Sequence, residues 1–147
     1  MEESSDAGLA LVSACRRLYS AIDRLDQAAA VKVGVNRSDL RALNELEHGP
    51  VRAGHLAEAL GLTTGSISSL LDRLENLGLV TRGPDPSDRR AVLVSPTRKL
   101  FSELAPLYRG VAEQLIELAK GYGPRQQKSA LKTLEDVVLV YERALDS

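Results

Sequence analysis

A single cysteine, Cys15, in 147 residues leaves no intramolecular disulfide to staple the fold. With only His48 and His55 beside it, soft ligands are too few for a typical structural zinc site, so neither metal nor cofactor is expected. Tryptophan is absent, and one phenylalanine and four tyrosines offer little aromatic surface for stacking a planar ligand. No stretch approaches the roughly 18 uncharged apolar residues of a membrane span. The first residues, Met1-Glu2-Glu3-Ser4-Ser5-Asp6, are acidic where a secretory signal is basic, and a cytoplasmic location is the expectation. Ser-His-Asp and Cys-His spacings, glycine-rich phosphate loops and carboxylate clusters are all missing, which argues against an enzyme.

What remains is an ordinary globular composition, 44% hydrophobic and 27% charged, long enough for one core. The net charge of −1 gives no general attraction for nucleic acid, yet charge is unevenly placed. Residues 1–50 sum to −2, residues 51–99 to +2 and residues 100–147 to −1, so the middle is the basic part.

Periodicity predicts helices at both ends. Leu11, Cys15, Leu18, Ile22, Leu25 and Ala29 alternate steps of four and three, placing them on one stripe of a helix over about residues 7–33. Ser38 is a candidate cap for a second helix carrying Leu40, Leu43 and Leu46, which stops at Gly49-Pro50 with His48 in its last turn. Past Pro96, Leu104, Leu107, Tyr108, Val111, Leu115 and Leu118 mark one long helix, and Leu131, Leu134, Val138, Tyr141 and Leu145 mark another. Val137, Leu139 and Val140 widen the last stripe beyond what one partner helix covers. The terminal helices are therefore expected to dimerise, the alternative being a bundle within one chain.

The middle carries the chemistry. A helix over Ala53 to Leu60, a turn at Gly61 and a helix capped by Thr63 or Thr64 make a helix-turn-helix, in which Ala57, Gly61 and Ile67 serve the crossing, the turn and the packing. The second helix buries Ile67, Leu70, Leu71, Leu74 and Leu77. Its first turns instead hold Thr63, Thr64, Gly65, Ser66, Ser68 and Ser69, poor helix formers that stability does not select. Short hydroxyls allow close approach to a DNA backbone or base edges, and Arg73 is placed to reach a phosphate. Capping alone would account for one or two of them. Two strands, Leu79 to Arg82 and Ala91 to Ser95, follow, joined by an eight-residue loop from Gly83 to Arg90. Arg89 and Arg90 at this stiff tip suit a minor groove, with Asp88 orienting a neighbouring arginine. A solvated salt bridge within the turn is the alternative.

Leu56-Ala57 through Gly61-Leu62, Leu71-Asp72-Arg73-Leu74-Glu75, Gly78-Leu79-Val80 and Asp85-Pro86-Ser87-Asp88-Arg89-Arg90 together resemble the multiple-antibiotic-resistance regulator (MarR) family over nearly the whole chain. The resemblance implies an α+β, predominantly α, winged helix-turn-helix protein. It implies a DNA lobe over residues 36–99 and a helical dimerisation lobe over 7–35 and 97–146. It further implies a homodimer on an inverted-repeat, double-stranded DNA operator, usually a repressor, released by a small-molecule effector or by oxidation. Ser66, Ser68 and Ser69 would then enter the major groove and Arg90 the minor groove, with Asp88 steadying the wing. One departure is local: the family often has a glycine soon after Pro96-Thr97, and here Arg98-Lys99-Leu100 runs on. Cys15, followed by Tyr19, resembles the family's organic-hydroperoxide sensors, but Ala29 and Leu40 stand where those sensors place tyrosines. A redox switch and a structural thiol both remain open for Cys15. A winged-helix module that binds a protein without reading DNA is a further alternative.

Overall fold

The computed structural model describes residues 2–146. Its elements in chain order are α1 (Glu2–Val33), α2 (Arg37–Asn44), β1 (Val51–Arg52), α3 (Ala53–Leu60), α4 (Thr64–Asn76), β2 (Val80–Asp85), β3 (Asp88–Pro96), α5 (Arg98–Lys120) and α6 (Pro124–Leu145). Two compact units result, Met1–Pro106 and Leu107–Ser147. Among the described residues, no helix is long and apolar enough to cross a membrane.

In the first unit, α2, α3 and α4 surround a leucine core. Leu40, Leu43, Leu46, Leu56, Leu70, Leu71, Leu74 and Leu79 are essentially inaccessible, as are Val80 and Val94 from the sheet. Each such side chain contributes roughly 1.5–3 kcal/mol by leaving water. The periodicity of α4 is met for Ile67, Leu70, Leu71 and Leu74, which turn inward and leave Thr64, Gly65, Ser66, Ser68 and Ser69 outside; Leu77, expected in the same stripe, is the C-cap and only half-buried.

Local chemistry sets the helix ends. Asn36, rather than Ser38, caps α2: its side chain accepts from the Asp39 amide at 2.8 Å while Asp39 reaches back to the Asn36 amide. This reciprocal box satisfies two free donors, whereas Ser38 already lies within the helix. His48 falls beyond α2, exposed in the following turn. Thr63 is the cap of α4, accepting from the Ser66 amide at 3.2 Å. Gly61 sits at φ 66°, ψ 34°, and the Leu62 amide donates to the Ala57 carbonyl at 2.8 Å, closing α3 into the turn.

The sheet differs from the sequence expectation in two ways. A short strand, β1, joins it, giving the antiparallel order β1-β3-β2 with Val51 opposite Val94. Two residues are too few to show periodicity; the partner strand makes them a strand. The hairpin is also longer than expected. Pairing continues through Arg82–Val94, Gly83–Leu93 and Pro84–Val92 to Asp85–Asp88, with an irregularity between Pro84 and Asp85. Only Pro86-Ser87 remain as the turn, so Arg89 and Arg90 belong to β3 and not to a loop. Gly83 and Pro84, turn formers by residue type, pair as strand here, since one proline on an edge strand leaves the pairing intact.

Thr97 resolves the start of α5: its hydroxyl accepts from the Leu100 amide at 3.3 Å and lies 2.7 Å from the Gly78 carbonyl. No glycine is needed there. The long terminal helices carry the expected apolar stripes but leave them largely uncovered within one chain. Leu18, Ile22, Leu115, Leu131, Leu134 and Val138 are all about half exposed, and among its described residues α6 buries none.

Two glycines of the helix-turn-helix should respond oppositely to alanine. Gly61 has a left-handed backbone, so Gly61→Ala is expected to lower unfolding free energy by about 1 kcal/mol. Gly54 lies in α3 with open space where a Cβ would stand, so Gly54→Ala should raise it by about 0.5 kcal/mol. Urea denaturation of both variants measures the two signs.

Candidate nucleic-acid interface

The exposed N-terminal half of α4 is a hydroxyl surface. Thr63 and Ser66 join side chain to side chain at 2.9 Å, and the Ser69 hydroxyl donates to the Gly65 carbonyl at 3.2 Å. A Cβ added at Gly65 would meet nothing within 4 Å, so this face is open. Across from it stands the hairpin. Thr64 and Ser68 on one side and Arg82, Pro84, Arg89 and Arg90 on the other line a groove of about 550 Å³. Arg89 and Arg90 are exposed, and among the described residues neither forms an ion pair.

Three other arginines are ion-paired. Arg73 does not extend freely toward a phosphate, as its sequence position suggested. Its Nη2 meets Asp39 Oδ1 at 2.7 Å and its Nε lies 3.4 Å from Asp39 Oδ2, with Nη1 donating to the Ser69 carbonyl. The Asp39 side chain is only 4% exposed, and a carboxylate so buried needs a cationic donor. The guanidinium is held more strongly protonated by the same hydrogen bonds and charge. Arg73 thus fastens α4 to α2. Arg82 performs the same task toward the wing. From β2 it donates to Glu75 Oε2 through Nε at 3.0 Å and Nη2 at 2.7 Å, its amide donates to Glu75 Oε1, and Nη2 also meets Asp72. Glu75 foremost, then Asp72, raises the Arg82 pKa.

The wing tip is held by Asp85 rather than by Asp88 acting on an arginine side chain. Ser87 donates to Asp85 Oδ1 through its hydroxyl at 2.7 Å and its amide at 2.8 Å, and Arg52 Nε donates to Oδ2 at 2.6 Å. Asp88, exposed, accepts instead from the backbone amide of Arg90 at 3.0 Å, bracing the strand and leaving both guanidiniums free of it. The reason is geometric: a two-residue turn brings the Ser87 donors back onto Asp85, and β1 delivers Arg52 to its other oxygen. Asp39, Arg52, Arg82 and Asp85 all escaped the sequence reading. Only Asp39 left a signal, an acidic residue three places after a capping asparagine.

Cys15 is half-buried on α1, along a stripe whose neighbours Leu11 and Leu18 are exposed in one chain. It stands far along the sequence from the groove and lines no part of it.

The three hydrogen bonds to Asp85, those from Ser87 first and that from Arg52 next, lower its pKa to about 2. A carboxyl depressed in the folded state stabilises the fold above its unfolded pKa, about 3.9, and that contribution is lost as pH falls through the folded value. Acid unfolding of Asp85→Asn, followed by circular dichroism between about pH 4 and about pH 2, should therefore show a shallower loss of stability than the parent. Parallel curves would mean that Asp85 is not ionised in a favourable site.

Comparison with known proteins agrees with this architecture. The model of the MarR family matches residues 33–91, from the end of α1 through the helix-turn-helix into β3. The uncharacterised HTH-type transcriptional regulator YcgE of Bacillus subtilis is 38% identical over 108 residues, 73% of this chain and 70% of that protein. The HTH-type transcriptional repressor NicR of Pseudomonas putida is 33% identical over 78 residues, 51% of this chain and 47% of NicR. Among solved structures, a MarR family transcription regulator superposes with a TM-score of 0.70 at 20% identity, covering 100% of this chain and 98% of that one. With a helix-turn-helix, a paired hairpin and long terminal helices in the corresponding order, the chain belongs to the MarR family of winged helix-turn-helix DNA-binding transcriptional regulators and is not an enzyme.

Proposed function

We propose that this protein is a homodimeric repressor of the cytoplasm that binds a pseudo-palindromic double-stranded operator and is released by a small-molecule effector. The observation that carries the DNA contact is the pairing, across one open groove, of the α4 hydroxyl face with the unpaired Arg89 and Arg90. In this reading Thr63, Thr64, Gly65, Ser66, Ser68 and Ser69 approach the major groove, with the free amides of the α4 N-terminus donating to phosphate. Arg89 and Arg90 reach the adjacent minor groove, where the negative potential favours guanidinium. Arg73 is a positioning residue, its guanidinium taken by Asp39.

Dimerisation is supported by apolar surface that one chain leaves in water. Leu18, Tyr19 and Ile22 on α1 and Leu131, Leu134, Val138 and Tyr141 on α6 are all at least 49% exposed, more than a soluble monomer scatters over two helices. A second copy is the occupant that a closed twofold assembly supplies. Two recognition helices so placed meet successive major grooves about 10 base pairs apart. Repression is supported by the likeness to NicR, which is named a repressor. An effector would act by favouring a dimer with the wrong lobe spacing, a population shift of a few kcal/mol.

The test is a binding titration against the DNA upstream of the protein's own gene, with scrambled competitor and at two salt concentrations, alongside sedimentation. A dimer with specific binding is expected. Arg90→Ala should weaken binding and reduce the salt slope by about one counterion, and Ser68→Ala should weaken it at unchanged slope. Unaltered affinity in both variants, with the dimer intact, would sink the proposed contacts.

A further inference from the structure

Proline inside a helix removes one backbone donor and presses its ring against the carbonyl four residues earlier, while glycine restores a backbone freedom that other residues lack. Helix α5 carries both, one turn apart, as Pro106 and Gly110. The Ser102 carbonyl, four residues before Pro106, thereby loses its intrahelical donor. Side chains weaken the same stretch further. The Ser102 hydroxyl donates to the Lys99 carbonyl at 2.9 Å, and the Gln114 side chain donates to the Gly110 carbonyl at 3.2 Å, each competing with a backbone amide. Residues 102, 106, 110 and 114 stand four apart, so these points lie along one side of the helix. Ser102, Pro106 and Gln114 are exposed there, and water can meet what the backbone leaves unpaired. A Cβ added at Gly110 would meet nothing within 4 Å, so no neighbour among the described residues requires a glycine.

On the N-terminal side of this stretch, α5 is fastened to the end of α4. The Thr97 amide donates to the Leu79 carbonyl at 3.1 Å, and the Thr97 hydroxyl lies 2.7 Å from the Gly78 carbonyl. Lys99 Nζ donates to the Leu77 carbonyl at 2.7 Å, which sets a cation at the C-terminal end of α4, where the helix dipole favours one. Leu100 and Leu104 are buried with the core of the first unit. The helix is thus secured through Leu104, weakened from Ser102 to Gly110, and divided at that same turn, since the first unit ends at Pro106 and the second begins at Leu107.

We infer that α5 is a jointed helix, bending between Ser102 and Gly110, and that the first unit turns about this joint as one body with the first turns of α5. Thr97 and Lys99 are positioning residues, because they make α4 follow those turns. The weak points share one side, so the helix opens along that side and bends in a preferred direction. An effector then needs no contact with α4: a ligand that binds one bend of α5 better than another re-aims the α4 hydroxyl face. That consequence rests on α4 being the DNA-contacting helix, as proposed above; the joint does not.

The joint is measured in the full chain without DNA. Amide hydrogen exchange should show protection from Ala105 to Gly110 about tenfold lower than around Leu100 and around Leu118. In the Pro106→Ala, Gly110→Ala double variant, where both changes raise helix propensity and so favour folding, that difference should shrink to about twofold. Nitroxide labels at Glu58→Cys on α3 and Ser129→Cys on α6, with Cys15→Ser and unlabelled protein in excess, report the spread of distances between the two units. The double variant should narrow that spread by about half. Even protection along α5, or a spread that the double variant leaves unchanged, would overturn the joint. Lowest protection from Thr97 to Leu100 would overturn it too, by placing the movement at the α4–α5 connection. Duplexes selected from a random-sequence pool by the unaltered protein then test the consequence. The double variant should bind the selected duplex about tenfold more weakly while holding unrelated DNA within about twofold. Equal affinity for the selected duplex, beside a joint that exchange and labels detect, would overturn its part in aiming α4. No enrichment from the pool would end the DNA contact of α4 and the consequence with it, and exchange and label distances would still decide the joint.

Discussion

A carboxylate buried at the start of α2 constrains the helices packed around it. Asp39 closes the cap of its own helix and, with the same oxygens, holds the guanidinium of Arg73 on α4. Burying that charge is unfavourable unless a cation and further donors meet it, so the lowest-energy arrangement keeps α4 at the one distance from α2 where Arg73 reaches. Leucine packing between the helices tolerates small sliding; a two-point contact between planar groups does not. The polar pair thus supplies register to a core whose apolar residues supply most of the stability.

The same device recurs toward the sheet. Arg82 on β2 meets two carboxylates one turn apart on α4, and Arg52 on β1 meets the carboxylate at the wing tip. These pairs tie the wing to α4 and to β1, on either side of the groove. This arrangement also disposes of charge. Arg82 neutralises Asp72 and Glu75, whereas among the described residues Arg89 and Arg90 form no ion pair. The chain as a whole has a net charge of −1, so any attraction for a polyanion has to be local.

The terminal helices have another relation to solvent. Their stripes are regular, but half-exposed leucines along α1 and α6 have no partner sufficient to cover them in one chain. A helix in this state draws little of its stability from packing, so its own propensity and capping carry more of it. Cys15 lies on such a stripe, so its environment depends on what covers α1.

The sequence by itself determined the elements whose causes are local. Helix periodicity placed α3, α4, α5 and α6, and the glycine between α3 and α4 marked the turn because only a residue without a Cβ adopts that backbone freely. The surplus of serine and threonine on α4 was legible for the same reason: it runs against helix propensity over a short window. Tertiary structure alone decided what requires residues distant in the chain to meet. β1 exists because Val94 pairs with Val51, and the hairpin continues through Gly83 and Pro84 because the opposite strand supplies partners. Whether Arg73 faces DNA or Asp39, and whether Asp85 or Asp88 secures the wing, turned on contacts spanning some thirty positions. An arginine's charge is written in the sequence, but its availability depends on which carboxylate the fold brings within reach, and long-range electrostatic pairing leaves no periodic trace to read.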